Sequence, residues 1–328
     1  MEKGKRILIT GCNGFVGTNL YRAFEGDFAL SGVDLPGNGA YPPDQVFSWE
    51  DVAAMRVPPV DAVIHLAGKA HDTSNAADPE SYFRINLGLT QAIFDWFLKS
   101  DSKHFIFFSS VKAVADTVTG DELTEEAEPD PKTPYGQSKL AAEEYVRGNT
   151  LAEAEPSLKA RLMGSEKIIT ILRPCMIHGP GNKGNLNELY GIVSRGVPWP
   201  LGAFENRRTF VSIDNMIHVL RRLVESGGPV GTYQVADDEA VSTNDIVRLI
   251  AESVGRKPRI WGLPPSCVRA MARVGDVLHL PLNSERLKKL TESYVASNTK
   301  LKEALGIEQM PVRAEDGLRK TLSSFRNE

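Results

Sequence analysis

A glycine-punctuated turn constrains this chain more than any other feature. Gly11-Cys12-Asn13-Gly14-Phe15-Val16-Gly17 follows an apolar run, Arg6 to Thr10, and opens a helical pattern. Glycine tightens such a strand-to-helix turn. It also lets backbone N–H groups approach a pyrophosphate at the helix N-terminus, where the partial positive charge lies. The triplet alone would equally suit a turn that merely needs a positive φ. The context decides. Asp34 ends the second apolar run, 17 residues beyond Gly17, where a carboxylate can accept hydrogen bonds from both adenosine ribose hydroxyls and repel a 2′-phosphate. Gly11, Asn13, Gly14, Phe15, Val16, Gly17 and Asp34 are therefore expected to bind a dinucleotide, NAD in preference to NADP.

The rest of the first half supplies the sheet that such a turn needs. Apolar runs recur at Ala29 to Asp34, Ala62 to Ala67, Phe105 to Ser110 and Lys167 to Arg173. They are continuous rather than alternating, as in strands buried on both faces. Helical patterns at Tyr82 to Leu98 and Ser138 to Arg147 lie between them, which predicts a doubly wound parallel α/β sheet. Ala152 to Gly164 reads as a charged surface extension. The second half is punctuated by Gly179-Pro180-Gly181, Pro198-Trp199-Pro200 and Pro264-Pro265. It predicts a smaller, loop-rich C-terminal lobe interleaved with the sheet, to which Thr232 to Ala236 could return.

A second constellation carries chemistry. Tyr135-Gly136-Gln137-Ser138-Lys139 places a phenol and an ammonium at i and i+4, on one face of a helix. A phenol of pKa near 10 is a poor acid or base at pH 7, and a nearby cation favours its phenolate. Tyr135 could then exchange a proton with a sugar oxygen while a nicotinamide exchanges a hydride at the attached carbon. A Tyr/Lys pair at this spacing is common. Ser109-Ser110 raises its weight, because it stands at the carboxyl end of a predicted strand, where open parallel sheets bind ligands.

Together these residues resemble an extended short-chain dehydrogenase/reductase, the group of nucleotide-sugar epimerases, dehydratases and reductases. The resemblance spans essentially the whole chain, through His65-Leu66-Ala67-Gly68, Asn86 to Thr90, Arg173-Pro174, Gly179-Pro180 and Arg208. It implies a Rossmann-like fold in which residues 1–175, with 208–238 returning, bind NAD, and residues 176–207 and 239–328 form the nucleotide-sugar lobe. It further implies Ser110, Tyr135 and Lys139 as catalytic residues, with Leu66, Ala67, Gly68, Asn86, Ser109 and Pro174 lining the cofactor. Relatives also pair through helices, so a homodimer is expected.

Departures from the family pattern narrow the reaction. Lys112 stands two residues after Ser110, where dehydratases carry an acid; a lysine cannot abstract the proton there, so 4,6-dehydration is disfavoured. Met176 replaces an asparagine that touches substrate in epimerases. Ser109-Ser110-Val111-Lys112, the Gly179 to Asn185 segment and the Pro200 to Arg208 segment are similar to bacterial 4-keto-sugar reductases acting on UDP-2-acetamido-2,6-dideoxy-4-hexulose. A UDP-sugar 4-epimerase with tightly bound NAD is the alternative, and an NAD(H)-sensing protein without catalysis a third. Arg208 is expected to fork onto the diphosphate, with Lys112, Met176 and Asn185 also at the substrate.

Several classes are set aside. The 328 residues are 41% apolar and 24% charged, ordinary for a globular chain. Three cysteines, Cys12, Cys175 and Cys267, form no short pairing, and Cys12 and Cys175 read as packing residues. His65 and His71 lack a third ligand, so no metal is expected, and His65 reads as a packed residue. A formal charge of −4 gives no nucleic-acid footprint. Neither a signal-peptide core nor an 18-residue apolar run is found, so a cytoplasmic protein without a membrane partner is expected. The acidic run Asp121 to Glu128 reads as a solvated loop. Lys112 keeps two readings, one in the sugar pocket and one in solvent.

Overall fold

Short runs rich in β-branched and aromatic residues build one parallel sheet. The computed structural model describes residues 4–37, 39–70, 78–148, 167–278 and 283–326; His71 and the Ala152 to Gly164 segment lie outside them. The strands are β1 (Arg6–Thr10), β2 (Ala29–Val33), β3 (Val46–Phe47), β4 (Ala62–His65), β5 (His104–Phe108), β6 (Ile168–Pro174), β7 (Met176–His178), β8 (Phe210–Ser212) and β9 (Gly231–Val235). Seven of them pair in parallel in the order β3-β2-β1-β4-β5-β6-β9, while β7 and β8 pair separately. The Rossmann-like doubly wound sheet expected from the sequence is therefore present.

Alternate side chains of each strand enter opposite cores. On one face Ile7 and Ile9 meet Leu20 and Phe24 of helix α1 (Phe15–Phe24) and Val219 to Leu223 of the helix Ile213–Ser226. On the other, Leu8, Val63, Phe105 and Phe107 meet helices α4 (Gly88–Lys99) and α5 (Pro134–Gly148). Helices α2 (Trp49–Ala53) and α3 (Pro79–Tyr82) lie between β3 and α4 in the chain. A further core, around Leu186, Trp199, Ile246, Ile250 and Leu318, belongs to the C-terminal lobe. The strand order reverses between β1 and β4, so a ligand crevice opens at their carboxyl ends.

Three local outcomes depart from the sequence reading. The pattern from Tyr82 to Leu98 is not one uniform helix, because a π-helical turn, Phe83–Leu87, separates α3 from α4. Helix α5 starts at Pro134, four residues earlier than predicted, which brings Tyr135 into its first turn. The acidic run is not simply solvated. Leu123 is buried and bonded to Val295, and the Glu125 carboxylate accepts from Gln234 N at 2.7 Å. Strand β9 is the edge of the sheet, and Glu125 satisfies one of its outward N–H groups.

Candidate active site

The glycine turn has the shape of a dinucleotide cradle. Gly11 adopts φ +69°, and a Cβ there would stand 2.9 Å from Ala67 N. A Cβ on Gly17 would fall 2.5 Å from Cys12 O and 2.6 Å from Gly11 O, so strand and helix can approach this closely only through glycine. Helix α1 begins at Gly14 with no side-chain cap and no acid in its first turn. Its first N–H groups, at Phe15, Val16 and Gly17, thus keep the positive end of the helix for an anion. Asp34 closes the turn, taking hydrogen bonds from Asn13 N and Leu35 N, both at 2.8 Å. Asn19 was not read from the sequence. Its amide ties Phe15 O to Pro180 O at 2.8 and 3.2 Å, joining the cradle to the loop after β7.

Cys12 is packed away under Gly32, and burial pushes its thiol up to about 12. Cys175 is equally inert, buried beside Thr209 with its thiol at about 12. Both are the packing residues that the sequence reading expects.

The strand ends on the other side of the crevice bring the acid–base residues together. Ser110, just past β5, lies close enough to the Tyr135 hydroxyl for its side chain to pull that phenol's pKa down. Burial raises the Tyr135 pKa and Ser110 opposes the rise, while Tyr82, edge-on at 6.3 Å between ring centroids, adds to it. Lys139 sits one turn further along α5, buried. Its ammonium donates to Phe108 O at 2.9 Å, and burial lowers its pKa to about 8 against the pull of Glu143. It also borders the loop after β4, since a Cβ on Gly68 would stand 3.1 Å from Nζ and 2.9 Å from Asn86 Oδ1. The three catalytic candidates and the Leu66-Ala67-Gly68 loop thus share one crevice.

Asn86 holds that loop in place. From the π-helical turn, its buried amide accepts from Lys69 N at 2.7 Å and donates to Lys69 O and Ser138 Oγ. Its carbonyl accepts from Thr90, which in turn meets His65 Nε2 at 2.9 Å. His65 Nδ1 meets Thr10 Oγ1 at 2.6 Å, and Thr10 takes a bond from Ala67 N. Burial, with Lys139 nearby, keeps His65 neutral. The only consistent direction of this chain makes Nδ1 the acceptor and Nε2 the donor. His65 is accordingly a packed, hydrogen-bonded residue. The described residues contain no cluster of metal-ligating side chains.

Ser109 is held differently from its neighbour. Its hydroxyl donates to Glu143, which is fully buried and gripped by Arg173 at 2.9 and 2.7 Å and by Arg147. Ser109 therefore fixes the β5 end through this ion pair, and Pro174 follows Arg173 at the buried end of β6. Nothing in the local pattern around Ser109 announces the pair. The available signal was Glu143 itself, four residues after Lys139 on the same helix face.

The remaining candidates lie on or beside the further core around Leu186, Trp199 and Ile246. The Lys112 ammonium stacks 4.1 Å over the Tyr294 ring and donates to Asp116 O at 2.8 Å. Burial lowers its pKa, Asp116 opposes the shift, and Arg208 reinforces it. It is thus an inward-turned lysine beside Arg208. Arg208 bonds Lys289 O and bridges the backbone of Val241 and Tyr294. Burial lowers its pKa as well, opposed by Glu292, whereas Arg207 is exposed. Met176, on β7, packs against the lobe core, and Asn185 is exposed at the start of the helix Asn185–Val193.

Comparison with known proteins fits this geometry. The sequence matches the NAD dependent epimerase/dehydratase family over residues 7–236. It is 28% identical over 335 residues to a UDP-glucose 4-epimerase of Vibrio cholerae, covering 98% of this chain and 95% of that one. It is 27% identical over 262 residues to an N-acetyl-alpha-D-glucosaminyl-diphospho-ditrans,octacis-undecaprenol 4-epimerase of Escherichia coli O157:H7, covering 79% of this chain and 75% of the relative. The fold superposes on the Bordetella bronchiseptica enzyme WbmG in complex with NAD, with a TM-score of 0.73 at 19% identity, over 99% of this chain and 95% of that one. With its extended short-chain dehydrogenase/reductase fold, the chain belongs to the NAD dependent epimerase/dehydratase family.

Proposed function

We propose that this chain is an NAD-dependent 4-ketoreductase. It would reduce C4 of a UDP-2-acetamido-2,6-dideoxy-4-hexulose to give a UDP-N-acetyl-6-deoxyhexosamine for surface polysaccharide. The observation that carries the reading is the gathering of Ser110, the buried Tyr135 phenol and the buried Lys139 ammonium at the strand ends that also bear the glycine turn. Gly11 to Gly17 would take the pyrophosphate, Asp34 the adenosine ribose, and Lys139 the nicotinamide ribose. NAD is preferred to NADP because the Asp34 carboxylate would repel a 2′-phosphate. When bound, the nicotinamide supplies the hydride.

The protein's own part is acid catalysis. Ser110 orients the C4 oxygen, Tyr135 donates its proton to it, and the Lys139 ammonium stabilises the phenolate that remains. Lys112 supports reduction over dehydration, since an ammonium standing where dehydratases carry an acid cannot abstract a sugar proton. Arg208 would hold the diphosphate. A homodimer and a cytoplasmic site of action belong to the same proposal.

The names of the relatives favour a second reading, a UDP-sugar 4-epimerase in which the same groups oxidise and re-reduce C4. An NADH-oxidation assay across UDP-4-keto sugars and UDP-hexoses, with product stereochemistry read by NMR, separates the two. A reductase consumes one NADH per product. Interconversion of C4 epimers with no net NADH consumption, and NAD that resists dialysis, would replace the reductase by the epimerase.

A further inference from the structure

The helix Pro265–Leu278 carries two apolar stripes. Val268, Ala272 and Gly275 are buried in the lobe core. Cys267, Ala270, Met271, Val274, Val277 and Leu278 follow the same helical spacing on the outward side, where Val277 is 76% and Leu278 61% exposed. Trp261, half exposed, lies just before the helix. Among the described residues, five of the eleven exposed large hydrophobics fall between Trp261 and Leu278, while the other six, Leu35, Met55, Phe83, Ile192, Val197 and Val230, are spread over the rest of the chain. Single exposed hydrophobics are ordinary; a contiguous patch marks an interaction surface.

Charge identifies what the patch meets. Arg269 and Arg273 stand exposed on the helix itself, and residues 256–289 hold eight Lys/Arg against only Asp276 and Glu285, in a chain of net charge −4. Both acids are engaged, Asp276 with Ser284 and Glu285 with Lys289. A second copy of the same face would bring like charges together. An anionic surface would not. Apolar side chains on one side of a helix with flanking cations are the pattern of a helix that lies in the plane of a bilayer interface.

We propose that this face seats the C-terminal lobe on an anionic phospholipid bilayer, Trp261, Met271, Val274, Val277 and Leu278 entering the headgroup boundary. The sequence expectation of no membrane partner rests on spanning length, and the described residues indeed hold no helix able to cross a membrane. An interfacial helix is a different object, about 21 Å long and two-faced. It would also bear on substrate access. The Arg269 guanidinium lies 6.0 Å from the Phe204 ring, in the loop that leads to Arg208. The proposal stands whether the enzyme is a reductase or an epimerase.

Flotation of the full chain with vesicles of phosphatidylcholine alone, or mixed equally with phosphatidylglycerol, tests it. The chain should float with the mixed vesicles only, and added salt should weaken the binding. Met271→Glu/Val277→Glu should abolish flotation, and Arg269→Glu/Arg273→Glu should weaken it about tenfold or more. NADH binding, followed by fluorescence, should be unchanged in both variants and so confirm that they fold. Equal behaviour on both vesicles overturns the proposal, as does flotation unaffected by the substitutions. So does a particle that doubles in mass through these residues and never floats.

Discussion

Lys139 shows how a single buried charge serves the site at a cost to the fold. Among the described residues its ammonium has the Phe108 carbonyl, the Phe107 ring face at 5.4 Å and the more distant Glu143 to replace water, and its pKa falls to about 8. Because the folded value lies below the ordinary 10.5, the unfolded chain binds the extra proton between pH 8 and 10.5, and stability gains with rising pH across that window. Urea unfolding of wild type and Lys139→Met should show the wild type gaining on the variant by up to about 1.4 kcal/mol per pH unit above pH 8. Parallel curves would contradict the burial. Tyr135→Phe removes only the proton donor. Its turnover should fall about 10²- to 10⁴-fold while NADH affinity, read by fluorescence, changes little. At this scale the sequence was most legible. Tyr135, Lys139, Ser110 and Asp34 are short-range patterns whose spacing already implies a shared helix face or a strand end. Lys112 was not decided by sequence, because whether a lysine on a strand-end loop turns inward depends on Tyr294, which lies far along the chain.

Among the elements, the legible ones are those whose apolar period is strong. β1, β4, β5 and β6 fall within a residue or two of the runs that predict them. β3 spans two residues and has no period to read. The π-helical turn at Phe83–Leu87 is hidden for another reason, since one extra residue per turn barely disturbs a 3.6-residue pattern. It nonetheless places Asn86 against Lys69 and Ser138. The Glu143–Arg173 pair joins α5 to β6 across 30 residues, beyond any local signal. Glu143→Gln leaves Arg173 buried without its counter-charge. It should cost about 3–5 kcal/mol in urea unfolding, with turnover also reduced because the ion pair that anchors Ser109 at the β5 end is lost. A loss below about 1 kcal/mol would mean that the pair is solvated.

For the molecule as a whole, topology turns these pieces into one site. The order β3-β2-β1-β4-β5-β6-β9 puts the glycine turn, the Gly68 loop and Ser110 after successive neighbours β1, β4 and β5, so one edge holds them all. The parallel pairing follows from the alternation of strands and helices, whereas the order itself is not read from it. The lobe is less legible, because its core is assembled from short helices and isolated bridges such as Trp199 with Ile260. Its outward stripe at Met271 to Leu278 shares a helix with a buried one, and sequence alone does not tell which faces water. Gly68→Ala tests the common edge from the cofactor side. A Cβ crowding Lys139 Nζ and Asn86 should raise the KM for NADH severalfold or more, and an unchanged value would separate the loop from the site.

The most direct measurement follows the hydrogen itself. Turnover of a UDP-4-keto-6-deoxy-N-acetylhexosamine with NADH deuterated at the transferred position of C4 should place one deuterium on sugar C4, seen by mass spectrometry and NMR, and Tyr135→Phe should place almost none. Product formed without deuterium at that carbon, or formed equally well by the phenylalanine variant, would contradict the account.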